Sequence, residues 1–173
     1  MVPVQILGLH VDRASGVAVV LLGELGEVKR VLPIFIRPVE ASAIAVGLSG
    51  VVPSRPLTHD LLLDVLRTSR STLEAVEVTE LRQGAFMADL VVSAADGEWR
   101  IPARPSDGIA LAVRCAARIS VAAQVLDDAA VPVEHNVGEP FADEEVEAIV
   151  ADFQRFLASA EPADFLKGDQ SPE

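Results

Sequence analysis

Apolar and polar residues in the first half of the chain alternate as in strands and then recur with a helical period. Residues 2–11 alternate weakly, residues 17–22 are continuously apolar, and residues 28–36 follow a glycine-containing turn. These patterns predict three strands, the second of them covered on both faces. The alanine-rich residues 40–48 then predict a helix, and a proline-containing loop follows at 51–56.

Residue types mark two helix starts in this half. Pro38 stands where the first helix begins, since proline is favoured in the first helical turn. Thr58 is predicted to be the N-cap of a second helix, and Asp60 lies in its first turn, where the helix dipole favours a negative charge. The residues expected to pack this second helix against the core are Leu61, Leu62, Val65 and Leu66.

The second half of the chain repeats the order of three strands and a helix. A strand around 76–78 turns at 83–84 into an alternating strand at 86–93. The Asp-Gly pair at 96–97 then predicts a hairpin into a strand at 99–101. Pro105 and Ser106 open a helix over about 107–117, whose inward residues are expected to be Ile109, Val113 and Ala116.

The remaining residues predict one more strand, a loop and a final helix. The strand is expected at 119–125 and the loop at 132–140. Asp143 is predicted to cap the final helix, which is amphipathic. Its apolar residues are Val146, Ile149, Val150, Phe153, Phe156 and Leu157. From Glu161 onward the chain is expected to fray.

An internal repeat gives the fold class. The ten residues that begin at Arg37 align with the ten that begin at Arg104, 67 positions later, in arginine, proline, acid and alanine-rich helix. We predict an α+β fold with a duplicated βββα unit, mainly antiparallel strands, packed helices and a C-terminal amphipathic helix. The predicted boundaries are a domain at 1–130 and an acidic linker, helix and tail at 131–173. The alternative is that two alanine-rich helices share an Arg-Pro start by chance.

Composition excludes several classes of protein. The chain has 173 residues, of which 50% are hydrophobic, so a packed core is expected rather than disorder. A lone cysteine, Cys115, excludes an intramolecular disulfide framework and a cysteine-rich zinc site, and it is expected to be a buried small hydrophobe. No apolar run is long enough to cross a bilayer, and no secretory signal is evident, so we expect a soluble, cytoplasmic protein without a membrane partner.

The net charge of −12 is concentrated at the C-terminus. Residues 1–126 contain 13 acids and 12 bases, whereas residues 127–173 contain 13 acids and 2 bases. A nearly neutral core does not repel nucleic acid as a uniformly acidic protein would. The acidic segment could cap the core, cover a subunit interface or mimic nucleic acid, although a charge run is usually a solvated face.

Three Arg-Pro pairs precede predicted helix starts, at Arg37, Arg55 and Arg104. Arginine beside the free N–H groups of a helix N-terminus is suited to binding phosphate. The acids Glu40, Asp60 and Asp107 lie at the same starts, and His59 precedes Asp60; carboxylates and an imidazole can hold a divalent ion or move protons at a phosphodiester. The list of candidate residues is Arg37, Glu40, Arg55, His59, Asp60, Arg104, Ser106 and Asp107.

A structural interpretation of the same residues stays open. Arg37 and Glu40, like Arg104 and Asp107, have the i, i+3 spacing of a local ion pair. Ser106, Asp60 and Asp107 could simply complement helix ends, and His59 could be a hydrogen-bonding surface residue. On that interpretation the protein is a non-catalytic, homo-oligomeric interaction or regulatory module.

Four stretches resemble the bifunctional nuclease domain family of bacteria and plants. They are Leu32-Pro-Ile-Phe-Ile, Glu40-Ala-Ser-Ala-Ile-Ala, Arg55-Pro-Leu-Thr-His-Asp-Leu-Leu and Arg104-Pro-Ser-Asp-Gly-Ile-Ala-Leu-Ala-Val-Arg. The similarity covers about residues 1–130. The chain departs from the family pattern at Arg37, where glycine is usual, at Pro102, where an acid is common, and at Gly108, where alanine is usual.

The resemblance implies a nuclease-like domain that hydrolyses phosphodiesters of DNA and RNA with a divalent cation, Mg²⁺ or Mn²⁺. We expect Arg55, Arg104 and Ser106 to bind substrate and His59 to act as general acid or base. The implied metal ligands or orienting groups are Glu40, Asp60 and Asp107. The expected partners are nucleic acid and a second copy of the chain, as a homodimer or another homo-oligomer.

Overall fold

The computed structural model describes residues 1–11, 17–25, 30–133, 142, 144, 146–149, 151 and 155. The strands are β1 (Val2–Val11), β2 (Ala18–Glu24), β3 (Arg30–Ile36), β4 (Thr72–Arg82), β5 (Ala85–Ala94), β6 (Gly97–Ala103), β7 (Arg118–Val121) and β8 (Val131–Pro132). The helices are α1 (Pro38–Leu48), α2 (Thr58–Thr68), α3 (Pro105–Cys115) and α4 (Ala123–Ala129). Among the described helices, none is long and apolar enough to cross a membrane.

The strands of the described residues form one eight-stranded sheet in the order β6-β5-β4-β7-β1-β2-β3-β8. Every neighbouring pair is antiparallel except β4 and β7, which are parallel. Each βββ unit is a meander whose first strand contacts β7, and each meander leads into a helix, α1 or α3. The predicted α+β fold with a duplicated βββα unit is therefore confirmed.

Strand β2 contributes alternate residues to two core clusters, one on each face of the sheet. Val20 and Leu22 pack with α1, α3 and α4 on one face of the sheet. Val19 and Leu21, which point to the opposite face, pack with Val31 and with two residues of the C-terminal segment, Val146 and Ile149. The continuously apolar sequence of β2 reflects this burial on both faces.

Local sequence signals placed several boundaries correctly. Helices α1 and α3 begin at Pro38 and Pro105, as predicted. The turn between β4 and β5 is formed by Gln83 and Gly84, both with positive φ, and this conformation fits the twist of a two-residue hairpin. The second predicted hairpin joins β5 to β6, where Ala94 pairs with Gly97.

The predicted start and inner face of α2 are wrong. Its N-cap is Leu57, not Thr58, and the Leu57 backbone N–H donates to the Asp60 carboxylate at 2.9 Å. The side chain that α2 buries is Leu63, and Leu66 is half-buried. The other three residues predicted to face the core are exposed: Leu61, Leu62 and Val65.

Two further predictions are corrected downstream of α3. The predicted strand at 119–125 ends at Val121, and α4 follows because Val125, Leu126 and Ala129 share one buried helical face. Ala116 is exposed and left-handed, with φ 55°, because it ends α3 rather than facing inward. The predicted loop at 132–140 starts in β8, and residues 134–140 lie outside the described residues.

The final helix falls partly within the described residues. Residues 144, 146–149, 151 and 155 are helical, and Val146 and Ile149 are buried. The other predictions for this helix and for the tail lie outside the described residues. They concern Asp143, Val150, Phe153, Phe156, Leu157 and the residues from Glu161 onward.

Candidate functional site

The two repeats present equivalent arginine–acid pairs at helix N-termini. Arg37 is the N-cap of α1 and Arg104 the N-cap of α3, and an acid stands three residues later in each helix. The Arg37 guanidinium donates to Glu40 Oε1, from Nη2 and, at 3.1 Å, from Nε. The Arg104 Nε and Nη2 atoms donate to the two oxygens of Asp107 at 2.7 and 2.9 Å. The local ion pairs that the spacing allowed are both formed.

Arg104 also joins the two repeats. Its Nη1 atom donates to Glu40 Oε1 at 2.9 Å, across 64 residues of sequence. The Arg104 side chain is 57% exposed and Arg37 74% exposed, whereas Glu40 is only 7% exposed. The site thus presents two solvent-facing guanidinium groups above one buried carboxylate.

The ion pairs set the ionisation of this site. Hydrogen bonding from Arg37, helped by Arg104 and opposed by burial, lowers the pKa of Glu40 to about 2. Hydrogen bonding to Asp107 raises the pKa of Arg104 above its ordinary value. Both groups are therefore charged at neutral pH, and the charges of Arg37, Arg104, Glu40 and Asp107 sum to zero.

Helix α2 places His59 beside Asp107. The His59 Nε2 atom lies 3.7 Å from Asp107 Oδ1, which is too far for a hydrogen bond but within the distance of an ion pair. The same Oδ1 atom accepts from Arg104 Nη2. His59, Asp107, Arg104 and Glu40 therefore form a continuous chain of charged or ionisable groups drawn from three helix N-termini.

Asp60 belongs to a different contact. Arg114 of α3 donates from Nε to Asp60 Oδ1 at 2.8 Å and from Nη1 to the Ala110 carbonyl oxygen at 2.6 Å. The Leu57 backbone N–H and the Arg114 guanidinium, opposed by burial, lower the pKa of Asp60. Asp60 therefore pairs with Arg114 and does not belong to the ion-pair network of Glu40 and Asp107.

The other predicted substrate-binding residues occupy two different environments. Ser106 is buried at the second position of α3 and lines a cavity of about 380 Å³. Arg37, Glu40 and Arg104 line the same cavity, together with Phe35 of β3 and Phe86 of β5. Arg55 is exposed in the loop before α2 and does not line this cavity.

The carboxylates do not fit a resident divalent cation as they are arranged. Glu40 Oε1 and both oxygens of Asp107 accept from guanidinium groups, and both oxygens of Asp60 accept from Arg114 or Leu57. Mg²⁺ instead requires several free oxygen ligands in octahedral geometry. Within the residues that the structure describes, no three His, Cys, Asp or Glu side chains gather as a metal site.

Sequence reasoning missed the partner of Asp60. Arg114 is almost fully buried, with a side chain 7% exposed, and its Nη2 atom has no partner among the described residues. The signal was an arginine inside an otherwise apolar helical stretch, since a buried arginine needs a carboxylate or carbonyl partner. Next to it, Cys115 is half-buried, and its thiol donates to the Leu111 carbonyl oxygen at 3.3 Å.

The chain is similar in sequence to a known domain family and to two known proteins. The family model described as the bifunctional nuclease domain matches residues 20–134. Two Mycobacterium tuberculosis proteins, uncharacterized protein MT1877 of strain CDC 1551 / Oshkosh and uncharacterized protein Rv1829 of strain ATCC 25618 / H37Rv, are each 37% identical over 162 residues. The matched region covers 94% of this chain and 96% of each relative.

Proposed function

Because the chain belongs to the bifunctional nuclease domain family, we propose that it hydrolyses phosphodiester bonds of DNA or RNA at the site formed by His59, Glu40, Arg104 and Asp107. The observation that supports this proposal is the contact of Arg104 with both acids. Through it, the two exposed guanidinium groups that line one cavity are connected, by way of Asp107, to the imidazole of His59. Exposed arginines at helix N-termini are suited to binding a phosphodiester.

Each residue has a proposed role in hydrolysis. The guanidinium groups of Arg37 and Arg104 bind the phosphate oxygens and stabilise the charge that develops as water attacks phosphorus. As general base, His59 accepts a proton from the attacking water, or as general acid it donates a proton to the leaving oxygen as the P–O bond breaks. The nearby carboxylate of Asp107 compensates the positive charge of the imidazole ring. Glu40 keeps the two guanidinium groups in place from below. Arg55, on the adjacent loop, is proposed to contact a neighbouring phosphate.

The predicted divalent cation is proposed to bind together with the phosphate of the substrate rather than at a site formed by the protein alone. Three of the four carboxylate oxygens of Glu40 and Asp107 accept from guanidinium groups, which leaves Glu40 Oε2, too few ligands for a dedicated protein-only site. The roles of the arginines and of His59 above require no metal. Dependence on Mg²⁺ or Mn²⁺ is therefore a quantity to measure in the same assay.

The test is turnover of single- and double-stranded DNA and RNA with Mg²⁺, with Mn²⁺ and with EDTA. We expect His59→Ala and Asp107→Ala to lower kcat by about 10²–10⁴-fold, the usual contribution of a positioned acid or base. Matched controls are His10→Ala, in β1, and Asp64→Ala, whose carboxylate pairs with Arg67 on exposed α2. Cleavage that survives both site substitutions would show that the reaction occurs elsewhere.

A second candidate function is a non-catalytic interaction or regulatory module. It is favoured by the pairing of Glu40, Asp60 and Asp107 with arginines, and by the burial of Glu40. Breaking such pairs lowers stability whether or not the protein is an enzyme, because a buried carboxylate loses its partner.

Cleavage and nucleic-acid binding by wild-type protein, taken together with the stability of Arg104→Ala, separate the two candidate functions. Since Arg104 is more than half exposed, we expect a loss of about 1–3 kcal/mol in the free energy of unfolding. Arg67→Ala, which removes an exposed i, i+3 pair, is expected to change it by less than about 0.5 kcal/mol. If wild-type protein cleaves no nucleic acid and binds none at low salt, the stability loss at Arg104 supports the module and contradicts the nuclease.

Self-association is proposed on the evidence of α2. Leu61, Leu62 and Val65 are exposed there although they are large and apolar, and Leu57 at the N-cap is exposed beside them. Apolar patches of this kind often mark protein interfaces. The proposed partner is a second copy of the chain. Light scattering measures whether the molar mass of the Leu62→Glu protein in solution is lower than that of wild type.

A further inference from the structure

The cavity of about 380 Å³ beside Arg104 contains features that binding of a phosphate alone does not use. Two half-buried aromatic side chains, Phe35 and Phe86, line it from β3 and β5, which have four other strands between them in the sheet. Arg37 and Arg104 stand on the same cavity with guanidinium groups exposed to solvent. Aromatic rings beside arginines are the elements with which proteins bind unpaired nucleotides.

A buried acceptor lies in the lining of the same cavity. Glu40 is 93% buried, and its Oε2 atom has no hydrogen-bond partner among the described residues, although Oε1 accepts from both arginines. A buried carboxylate oxygen without a donor is costly. Every nucleobase carries an N–H donor on its pairing edge, and the hydrogen that points along this edge is free only when the base is unpaired.

From these contacts we propose that the cavity receives one unpaired base and that the protein binds single-stranded nucleic acid. The base stacks on Phe35 and Phe86, its pairing-edge N–H faces Glu40, and its phosphate contacts Arg37 and Arg104. A duplex provides neither the stacked base nor the free pairing-edge N–H unless one of its base pairs opens. The inference rests on the proposed function, since it names the substrate class of that site.

Binding measured in EDTA separates this inference from catalysis. Fluorescence anisotropy compares a labelled 12-nucleotide single strand, the same sequence as a duplex, and a single strand of equal length whose central nucleotides are abasic. We expect the intact single strand to bind at least about tenfold more tightly than either of the others, because loss of base stacking removes the main contact that a phosphate does not supply. This comparison uses wild-type protein and needs no variant.

Two substitutions then locate the base. Phe86→Leu and Phe35→Leu keep an apolar side chain and remove the ring face, so we expect each to weaken single-strand binding by about 5- to 100-fold. Trp99→Leu, which removes an exposed aromatic ring on β6 outside the cavity, is the matched control and is expected to leave binding unchanged. Thermal unfolding of each variant confirms that it folds.

The outcomes distinguish the inference from the proposed function. Equal affinity for the duplex or the abasic strand overturns the inference, even if the protein cleaves DNA or RNA. Base-dependent binding to a single strand without cleavage under any metal condition supports the inference and overturns the catalytic proposal. Absence of binding to all three probes, at low salt, overturns both.

Discussion

Glu40 shows how a single residue depends on both repeats. Its local partner, Arg37, stands three residues away and is evident from spacing alone, whereas its second partner, Arg104, is 64 residues away. Both contacts favour the charged carboxylate, and together they outweigh the effect of burial on its pKa. The low pKa of Glu40 therefore reflects mainly its local pair with Arg37, to which the contact with Arg104 adds.

Stability should fall with acid because of Glu40. Its pKa is about 2 in the folded protein and near 4.5 without these partners, so the stabilisation is complete above about pH 5 and is lost as pH falls towards 2. Urea unfolding between pH 6 and pH 2.5 measures this loss. We expect Glu40→Gln to be less stable at neutral pH and to lose less stability with acid, while Glu74→Gln, an exposed control, should follow wild type. Equal acid slopes in all three proteins would contradict the ion-pair network.

Gly108 shows how closely α3 packs on the sheet. A Cβ at this position would lie 2.5 Å from Val76 Cγ1 and 3.3 Å from Leu90 Cδ2, and both side chains are buried. Val76 occupies the space that a Cβ at position 108 would need. The gain in helix propensity from alanine, about 1 kcal/mol, opposes the cost of the overlap.

We expect Gly108→Ala to lower the free energy of unfolding by about 1–2 kcal/mol, since overpacking outweighs propensity. The effect should be smaller in a Val76→Ala background, where the methyl groups that the new Cβ would meet are absent. Denaturant unfolding of the two single variants and the double variant measures the coupling. A stabilised Gly108→Ala protein would show that α3 can shift away from β4.

The elements predicted correctly are those in which local chemistry and burial agree. Proline fixed the starts of α1 and α3, and continuous apolar sequence identified β2. The inner face of α2 was mispredicted because Leu61, Leu62 and Val65 are apolar yet exposed, and hydrophobic period cannot distinguish a core from an open surface. The sequence predicts the end of a strand at the position of α4, because this helix has only seven residues and its N-cap, Ala122, makes no side-chain cap hydrogen bond.

At the scale of the whole molecule, the duplication explains why a site exists between the repeats. Both meanders border β7, and each leads to a helix that begins with Arg-Pro, so α1 and α3 pack side by side with equivalent N-termini. The sequence predicted the equivalence of the motifs but not the Arg104–Glu40 contact, because strand order across a sheet is not encoded in any local pattern. The pairing of Asp60 with Arg114 was missed for the same reason.

The acidic C-terminal segment also contributes to the core. Val146 and Ile149 pack on Val19, Leu21 and Val31, on the sheet face opposite α1 and α3. Deleting residues 138–173 to test whether the acidic charge blocks nucleic acid would therefore remove apolar packing together with the charge. Single substitutions on the described part of this helix separate the two effects.

We expect Ile149→Ala, at a side chain 3% exposed, to lower the free energy of unfolding by about 2–5 kcal/mol through the cavity it leaves. Glu147→Gln lies on the exposed side of the same helix and should change stability by less than about 0.5 kcal/mol. The affinity of the Glu147→Gln protein for a single-stranded oligonucleotide at low salt then measures the effect of the acidic charge without a loss of packing. If Ile149→Ala unfolds at the wild-type denaturant concentration, the segment does not cover β2 and β3 in solution, and the far face of the sheet is available to another partner.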